Sequence, residues 1–265
     1  MKADKLLQAL EQRGIHTIIG VPDSTLKQFC DGLQNYKGNI NHYVPVNEGA
    51  AVGLAVGSYL ADGKPACVYM QNSGIGNAVN PIASLANRDI YGIPMLFLVG
   101  WRGEPGVKDE PQHVFQGKIT CKLFEVLSIP YEVIDKDTTW EQMESILTEA
   151  FETLSGGEQF AIIVRKGTFE KDVPYTWENG NTLNREEALA TILKEGGHEA
   201  ILVSTTGKIS RELYEQSDPL YGTHENIFMT VGGMGHASMI ALGIAKKRPK
   251  EKIMCIDGDG AALMH

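Results

Sequence analysis

The chain has no basic run, no apolar stretch long enough to span a bilayer and no closely paired cysteines, and each absence removes a class of function. Its 24 Lys and Arg stand against 33 Asp and Glu, a net charge of −9. A nucleic-acid partner calls for a clustered positive surface, so none is expected. A membrane helix calls for about 20 consecutive apolar residues, and the N-terminus lacks a secretory-signal pattern, so no membrane partner is expected either. Cys30, Cys67, Cys121 and Cys255 are widely spaced, without a CxxC pair. That spacing disfavours zinc or a disulfide framework and reads as buried thiols in a reducing compartment, hence a cytoplasmic protein. An anionic small molecule stays open as a ligand, because a local group of Arg, Lys and His can oppose the global sign.

What the sequence does have is alternation. Short apolar strands are predicted at 16–21, 39–46, 65–70, 95–99, 131–134 and 160–164. Helical periodicity lies between them, at 2–13, 25–33, after Asn47, and at 78–87, 119–127 and 139–154. This βαβα order implies a mostly parallel sheet covered on both faces. Residues 166–184, with Pro174 and Gly180, break the pattern and read as a linker. The alternation then resumes: a helix at 185–194, a strand at 200–203, a Thr205-Thr206-Gly207 turn into a short helix, a strand at 226–229, a helix at 236–246 and a strand at 253–256. The expected fold is α/β, with two doubly wound, mostly parallel sheet domains at 1–165 and 185–265. The second is cut short in the first turns of a helix after Gly260, so a fragment of a longer protein is expected.

Several junctions carry chemistry. Ser24 is placed to cap the helix at 25–33. The helix after Asn47-Glu48-Gly49 is paved with Ala50, Ala51, Gly53, Ala55, Gly57 and Ser58, giving up helix propensity. That makes sense where another backbone or a flat ligand must come close. Gln71–Asn77 reads as a polar, Gly-rich loop, and 100–116 as a long loop dense in Gly, Pro and charge, of the kind that usually has a function. The last strand runs into Asp257-Gly258-Asp259-Gly260. A carboxylate beside bare N–H groups at a strand's C-terminal end suits a Mg²⁺ also held by diphosphate oxygens. A plain turn with a solvated Asp fits the same residues.

Gly232-Gly233-Met234-Gly235, Gly258-Asp259-Gly260 and the strand end Asn47-Glu48-Gly49 together resemble thiamine diphosphate-dependent decarboxylases. Val21-Pro22-Asp23-Ser24, Asn72–Asn77, Gly100-Trp101-Arg102-Gly103 and Asp109–His113 resemble more narrowly the phosphonopyruvate decarboxylase subgroup, whose near relatives are sulfopyruvate decarboxylases. The resemblance implies a thiamin diphosphate-binding fold: a pyrimidine-binding domain first, a diphosphate-binding domain second. It also implies a homo-oligomer, at least a dimer, with the cofactor at the subunit interface, and a small 2-keto acid as substrate. The cofactors would be thiamine diphosphate, the electron sink for CO₂ loss, and Mg²⁺.

By the same resemblance, Glu48 is the catalytic acid against the cofactor pyrimidine, and Met234 the wedge that keeps its two rings folded. Gly232 and Gly233 allow close backbone approach to the pyrimidine, and Asn72, Ser73 and Gly74 are further cofactor-binding residues. Asp259 is the metal ligand, and Gly258, Gly260 and Ala261 are donors to the diphosphate. A second metal ligand, an Asn roughly two dozen residues further on, is not present. Ser24, Arg102, Lys108 and His113 are the candidates for the substrate's anionic end, with His113 and Asp23 as proton carriers. Any one of these loop groups could equally be a solvated surface residue.

Overall fold

The computed structural model describes all residues except Asp172 and Trp177, so the linker reading at those two positions lies outside the described residues. The chain forms two compact units, 1–176 and 177–265. In unit 1 the helices are α1 (Ala3–Gln12), α2 (Lys27–Asn35), α3 (Glu48–Asp62), α4 (Ile75–Pro81), α5 (Pro111–Val126) and α6 (Trp140–Ser155). The strands are β1 (Thr17–Gly20), β2 (Asn41–Tyr43), β3 (Ala66–Gln71), β4 (Met95–Gly100), β5 (Tyr131–Ile134) and β6 (Gln159–Val164). They form one sheet in the order β2-β1-β3-β4-β6-β5, and every pairing is parallel.

Alternate side chains of each central strand serve opposite faces, as the two-residue period of a strand demands. Cys67, Tyr69, Leu96, Leu98, Phe160 and Ile162 point to the layer that also holds Leu6, Leu10 and Phe29 of α1 and α2 and Leu147 of α6. Val68, Met70, Phe97, Val99, Ala161 and Ile163 point to the layer of Ala51 and Ala55 of α3, Ala78 of α4 and Phe124 of α5. Burial on both faces explains the near-continuous apolar runs. Because β1 connects outward to β2 while β3 lies on its other side, the strand order reverses there. Open α/β sheets bind ligands in the crevice at the carboxyl ends of such strands.

Unit 2 has α7 (Arg185–Gly196), β7 (Ile201–Ser204), α8 (Lys208–Tyr221), β8 (Ile227–Met229), α9 (Ala237–Lys247), β9 (Ile253–Ile256) and α10 (Asp259–Met264). Its sheet is parallel, in the order β8-β7-β9. Leu189, Leu193 and Leu213 cover one face, Ala237 and Ala241 the other. Among the described residues no helix is long and apolar enough to cross a membrane.

The α/β expectation holds, with local corrections. The helix after Gly207 is not short but runs 14 residues. The loop expected at 71–77 is one 3₁₀ turn, Asn72–Gly74, leading directly into α4. The long loop shrinks because α5 starts at Pro111, whose missing N–H costs nothing at a helix start. Ser24 does not cap α2. No side chain caps α2; the Asp23 carboxylate holds the turn just before it, accepting from the backbone N–H groups of Thr25 (2.9 Å) and Leu26 (3.1 Å). The first part of the expected linker packs on unit 1, where Phe169 is buried in the core and Glu170 N donates to Met1 O at 2.9 Å. All four cysteines are free, but only Cys67 is fully buried and Cys255 is exposed.

One polar group is central to unit 1. Gln159 is buried at the start of β6, and its amide donates to Ala86 O (2.7 Å) and Ile93 O (2.6 Å), tying down the turn before β4. Gln159→Leu keeps the volume but orphans the Ile93 carbonyl and leaves Ala86 O with only the Ile93 N–H, so thermal unfolding should show a loss of about 1–3 kcal/mol. A melting temperature unchanged from the parent would refute this account.

Candidate active site

Glu48 opens α3, behind the Asn47 cap whose side chain accepts from Ala50 N at 2.8 Å. Its carboxylate is 5% exposed and accepts from Asn77 Nδ2 at 2.8 Å. Gly74 makes room for it: a Cβ there would lie 2.4 Å from Glu48 Oε1. Gly49 likewise lets α3 meet Asn77 O, which a Cβ would approach to 2.8 Å. A buried acid is thus set where two helix starts close on each other, and the glycines are steric requirements of that closeness.

A second cluster gathers at the C-terminal ends of β1, β3 and β4. Arg102 is held by Asp109 through Nε (2.8 Å) and Nη2 (2.5 Å), and its Nη1 donates to Ser24 Oγ at 3.1 Å. Asp109 also accepts from Gly103 N and Glu110 N, both at 2.8 Å. Hydrogen bonding from Arg102 holds the Asp109 carboxyl well below the usual carboxylate range, and the pairing raises Arg102. Burial pushes Asp23 up. Its Oδ2 accepts from the two backbone N–H groups of the turn before α2, and its Oδ1 is buried with no hydrogen-bond partner. Gly100 sits against this carboxylate, since a Cβ there would lie 2.5 Å from Oδ2. His113, on the first turn of α5, is pushed below its ordinary value by burial and then by the Arg102 charge.

Asn72, expected at the ligand, is fully buried and bonded to protein instead. Its Nδ2 donates to Arg102 O and to Thr120 Oγ1, both at 2.8 Å, while Oδ1 accepts from Arg102 N at 3.1 Å. Both amide hydrogens are spent, so the side chain pins the Arg102 loop. Ser73 is exposed and accepts from Gln71 Nε2 at 2.6 Å. Lys108 is exposed on the loop before α5. Gly103, at φ +68°, and Gly117 bring that loop onto α5, where Cβ atoms would lie 1.8 Å from His113 O and 1.7 Å from Gly103 O. Asp109, Asn77 and Thr120 are contributors that sequence reasoning did not single out for a role. Only Asp109 carried a signal, as a charge of opposite sign close behind Arg102.

Unit 2 carries its own cavity, of about 230 Å³, lined by Thr205, Thr206, Lys208, Ile209 and Arg185 on one side and by Met234, Gly258, Asp259, Gly260 and Ala261 on the other. Positive φ at Gly233 (+66°) and Gly235 (+91°) folds the Gly-rich turn, and a Cβ on Gly260 would touch Met234 Cε at 3.6 Å. Met234 remains 44% exposed, so it is no ordinary core methionine. Thr206 Oγ1 ties the turn together by donating to Val231 O at 2.8 Å. The N-terminal end of the 14-residue α8, which has no side-chain cap, brings Lys208 to the lining of the same cavity as Asp259. Helix end and ammonium suit phosphate oxygens, and the carboxylate suits a divalent ion shared with them, so this donor set fits a magnesium diphosphate. Among the described residues no three His, Cys, Asp or Glu gather into a metal cage of their own.

Residues 2–124 match the family described as thiamine pyrophosphate enzyme, N-terminal TPP binding domain. The phosphonopyruvate decarboxylase of Streptomyces hygroscopicus is 31% identical over 281 residues, covering 100% of this chain and 67% of its own length. The chain belongs to the phosphonopyruvate decarboxylase family. A second member, the phosphonopyruvate decarboxylase of Streptomyces viridochromogenes, is 32% identical over 280 residues, covering 99% of this chain and 67% of itself. Sulfopyruvate decarboxylase subunit alpha of Methanococcus maripaludis is 33% identical over 129 residues, which is 49% of this chain and 74% of that subunit. The family is one of thiamine-dependent carboxy-lyases, in keeping with the buried acid of unit 1.

The Arg102–Asp109 pair makes a pH prediction for the fold. Asp109 is lowered in the folded state, so its contribution is fully present above the ordinary carboxylate value of about 3.9 and is lost as pH falls below it. The melting temperature of Asp109→Asn should therefore be lower than the parent's at pH 7, and the two should converge as pH drops from 4 towards 2. Parallel curves across that range would rule the linkage out.

Proposed function

We propose that this chain is part of an enzyme that decarboxylates 3-phosphonopyruvate to phosphonoacetaldehyde and CO₂, using thiamine diphosphate and Mg²⁺, in cytoplasmic phosphonate (2-aminoethylphosphonate) biosynthesis. The observation that carries this reading is that the similarity to phosphonopyruvate decarboxylases runs through both units, 100% of the chain. Similarity to the sulfopyruvate decarboxylase alpha subunit covers only 49% of it. Sulfopyruvate is the second reading, favoured by the same cations, since a sulfonate asks for the same donors as a phosphonate.

The cofactor, when bound, supplies the electron sink for CO₂ loss. The residues of this chain do the rest. Glu48, buried against Asn77, holds a proton at N1′ of the pyrimidine. Met234 and the glycines beside it would support the cofactor, and Asp259 with Lys208 would hold the ion and the diphosphate. Arg102 and Ser24 receive the substrate's anionic end, with exposed Lys108 adding long-range attraction. His113, neutral near pH 7 because its value is lowered, can accept or deliver a proton during aldehyde release. Asp23, raised by burial, is the second proton carrier.

The test is CO₂ release by the intact-length protein offered phosphonopyruvate, sulfopyruvate and pyruvate in parallel. Phosphonopyruvate should be preferred, and Glu48→Gln should lower turnover by at least about a hundredfold, the usual scale of a proton-transfer group, while thiamine diphosphate still binds. Preference for sulfopyruvate would move the substrate. No release from any of the three would leave a cofactor-binding, non-catalytic subunit.

A homo-oligomer is proposed from the outer face of α3. Gly53, Leu54, Gly57, Leu60 and Ala61 are exposed there, and Cβ atoms on Gly53 and Gly57 would meet nothing. An apolar, small-residue stripe of this kind lets a second helix approach closely. Light scattering should give at least a dimer, and Gly57→Glu should dissociate it. A monomer at micromolar concentration would sink the idea.

A further inference from the structure

We infer that Asp109 is a positioning residue that fixes Arg102 as a preformed receptor for the substrate's tetrahedral anion, an inference that rests on the 2-keto acid reading above. The Arg102 backbone is gripped on both sides by one buried amide: Asn72 accepts from its N–H and donates to its carbonyl, at 3.1 and 2.8 Å. Its guanidinium is gripped by Asp109 through Nε and Nη2, at 2.8 and 2.5 Å. A free arginine loses much rotamer freedom when it takes hold of a ligand, and here that freedom is already gone.

The same contacts decide which edge is presented. Asp109 takes the side of the fork formed by Nε and Nη2, and Ser24 takes one hydrogen of Nη1 at 3.1 Å. Of the five N–H groups of a guanidinium, one on each terminal nitrogen remains. The one on Nη2 lies on the outer edge of the fork, away from Asp109, and the one on Nη1 lies beside Ser24, so both are left to meet oxygens of a phosphonate. Close by, Asp23 is buried, its Oδ1 is enclosed without a partner, and its charge acts on Arg102. The candidate receptor is therefore the guanidinium N–H groups that Asp109 leaves free, together with the Ser24 hydroxyl.

A carboxylate beside an anion receptor could instead weaken it by masking the charge. The geometry points the other way. The Asp109 oxygens are saturated by four donors: two from Arg102 and the N–H groups of Gly103 and Glu110. The carboxylate is built into the loop, where its charge is shared with backbone dipoles, and it faces away from the free edge of the fork.

The test compares the intact-length parent with Arg102→Ala, Asp109→Asn, Asp109→Glu and the Arg102→Ala/Asp109→Asn pair. It measures KM and kcat with phosphonopyruvate and with pyruvate, which has no anionic tail, and binding of methylphosphonate by calorimetry. Asp109→Asn should raise KM for phosphonopyruvate about tenfold or more with kcat changed less than about threefold, the pattern of lost uniform binding. Methylphosphonate should weaken by a similar factor, and the preference for phosphonopyruvate over pyruvate should shrink. Asp109→Glu should restore part of each. The double variant should be no worse than Arg102→Ala, since a residue acting through Arg102 has nothing left to act on. An unchanged or lower KM in Asp109→Asn would mean that Asp109 masks the charge and would overturn the inference. A full further loss on the Arg102→Ala background would overturn it too, as a general structural effect. If the parent released no CO₂ from phosphonopyruvate, the substrate reading would fall, while the methylphosphonate arm would still decide the role of Asp109.

Discussion

The candidate substrate end of this protein depends on a single buried amide. Asn72 has no solvent contact, and it stands where β3 ends and β4 has just given up its last pairing partner. The backbone of residue 102, one step beyond the sheet, would there be left with an unpaired N–H and C=O. A buried orphan of either kind costs about 1–3 kcal/mol. The Asn72 side chain substitutes for the missing strand, pairing with both groups, and its second amide hydrogen reaches Thr120 on α5. Loop, helix and sheet end are joined through one side chain. The direction in which Arg102 leaves the sheet depends on that join.

Close approach of backbone is the second constraint, and it explains the glycines better than flexibility does. Gly74 lies where any Cβ would occupy the space of the Glu48 carboxylate, and Gly103 and Gly117 lie where the loop and α5 nearly touch. None of these contacts is available to alanine without moving an element. The energetic gain is indirect: glycine gives up helix or turn stability of roughly 0.5–1 kcal/mol per position, and the return is an acid and a cation placed within a rigid frame. In unit 2 the glycine turn at 232–235 uses positive φ for a related end, presenting Met234 outward over Gly260.

Much of this was legible in the sequence, and what was not has a common cause. The strands were visible because both faces of the sheet are buried, so apolar runs stand out between turns. Glu48, Asp259 and Met234 stood out because glycines surround them. The errors fell where local rules compete. Ser24 stands where a cap for α2 is expected, and the tertiary position of Arg102 gives it another partner. The segment around Asn72 to Asn77 is polar enough to read as loop, yet packing against α3 makes it helical. Pro111 looked like a loop residue and is a helix start. Asn72 looked like a ligand-facing polar group because nothing in a one-dimensional pattern reports that β4 ends beside it.

An acidic chain that takes a doubly anionic substrate would look like a contradiction if the net charge of −9 acted at the site. It does not, because charges more than about 8 Å away are largely screened at physiological ionic strength. What a ligand meets is the field of its immediate neighbours. At the ends of β1 and β4 those neighbours are Arg102, the neutral His113 and Asp23, whose ionised form is disfavoured by burial. Asp109 is held ionised by Arg102, and its oxygens are saturated by its own donors. The pair is close to neutral as a whole, so what a small anion meets is the set of guanidinium N–H groups that Asp109 leaves free, a matter of hydrogen-bond direction more than of counting charged residues. Composition could exclude nucleic acid, whose long charged surface samples the whole face of a protein. It could not exclude a small anion, whose binding is decided within one screening length.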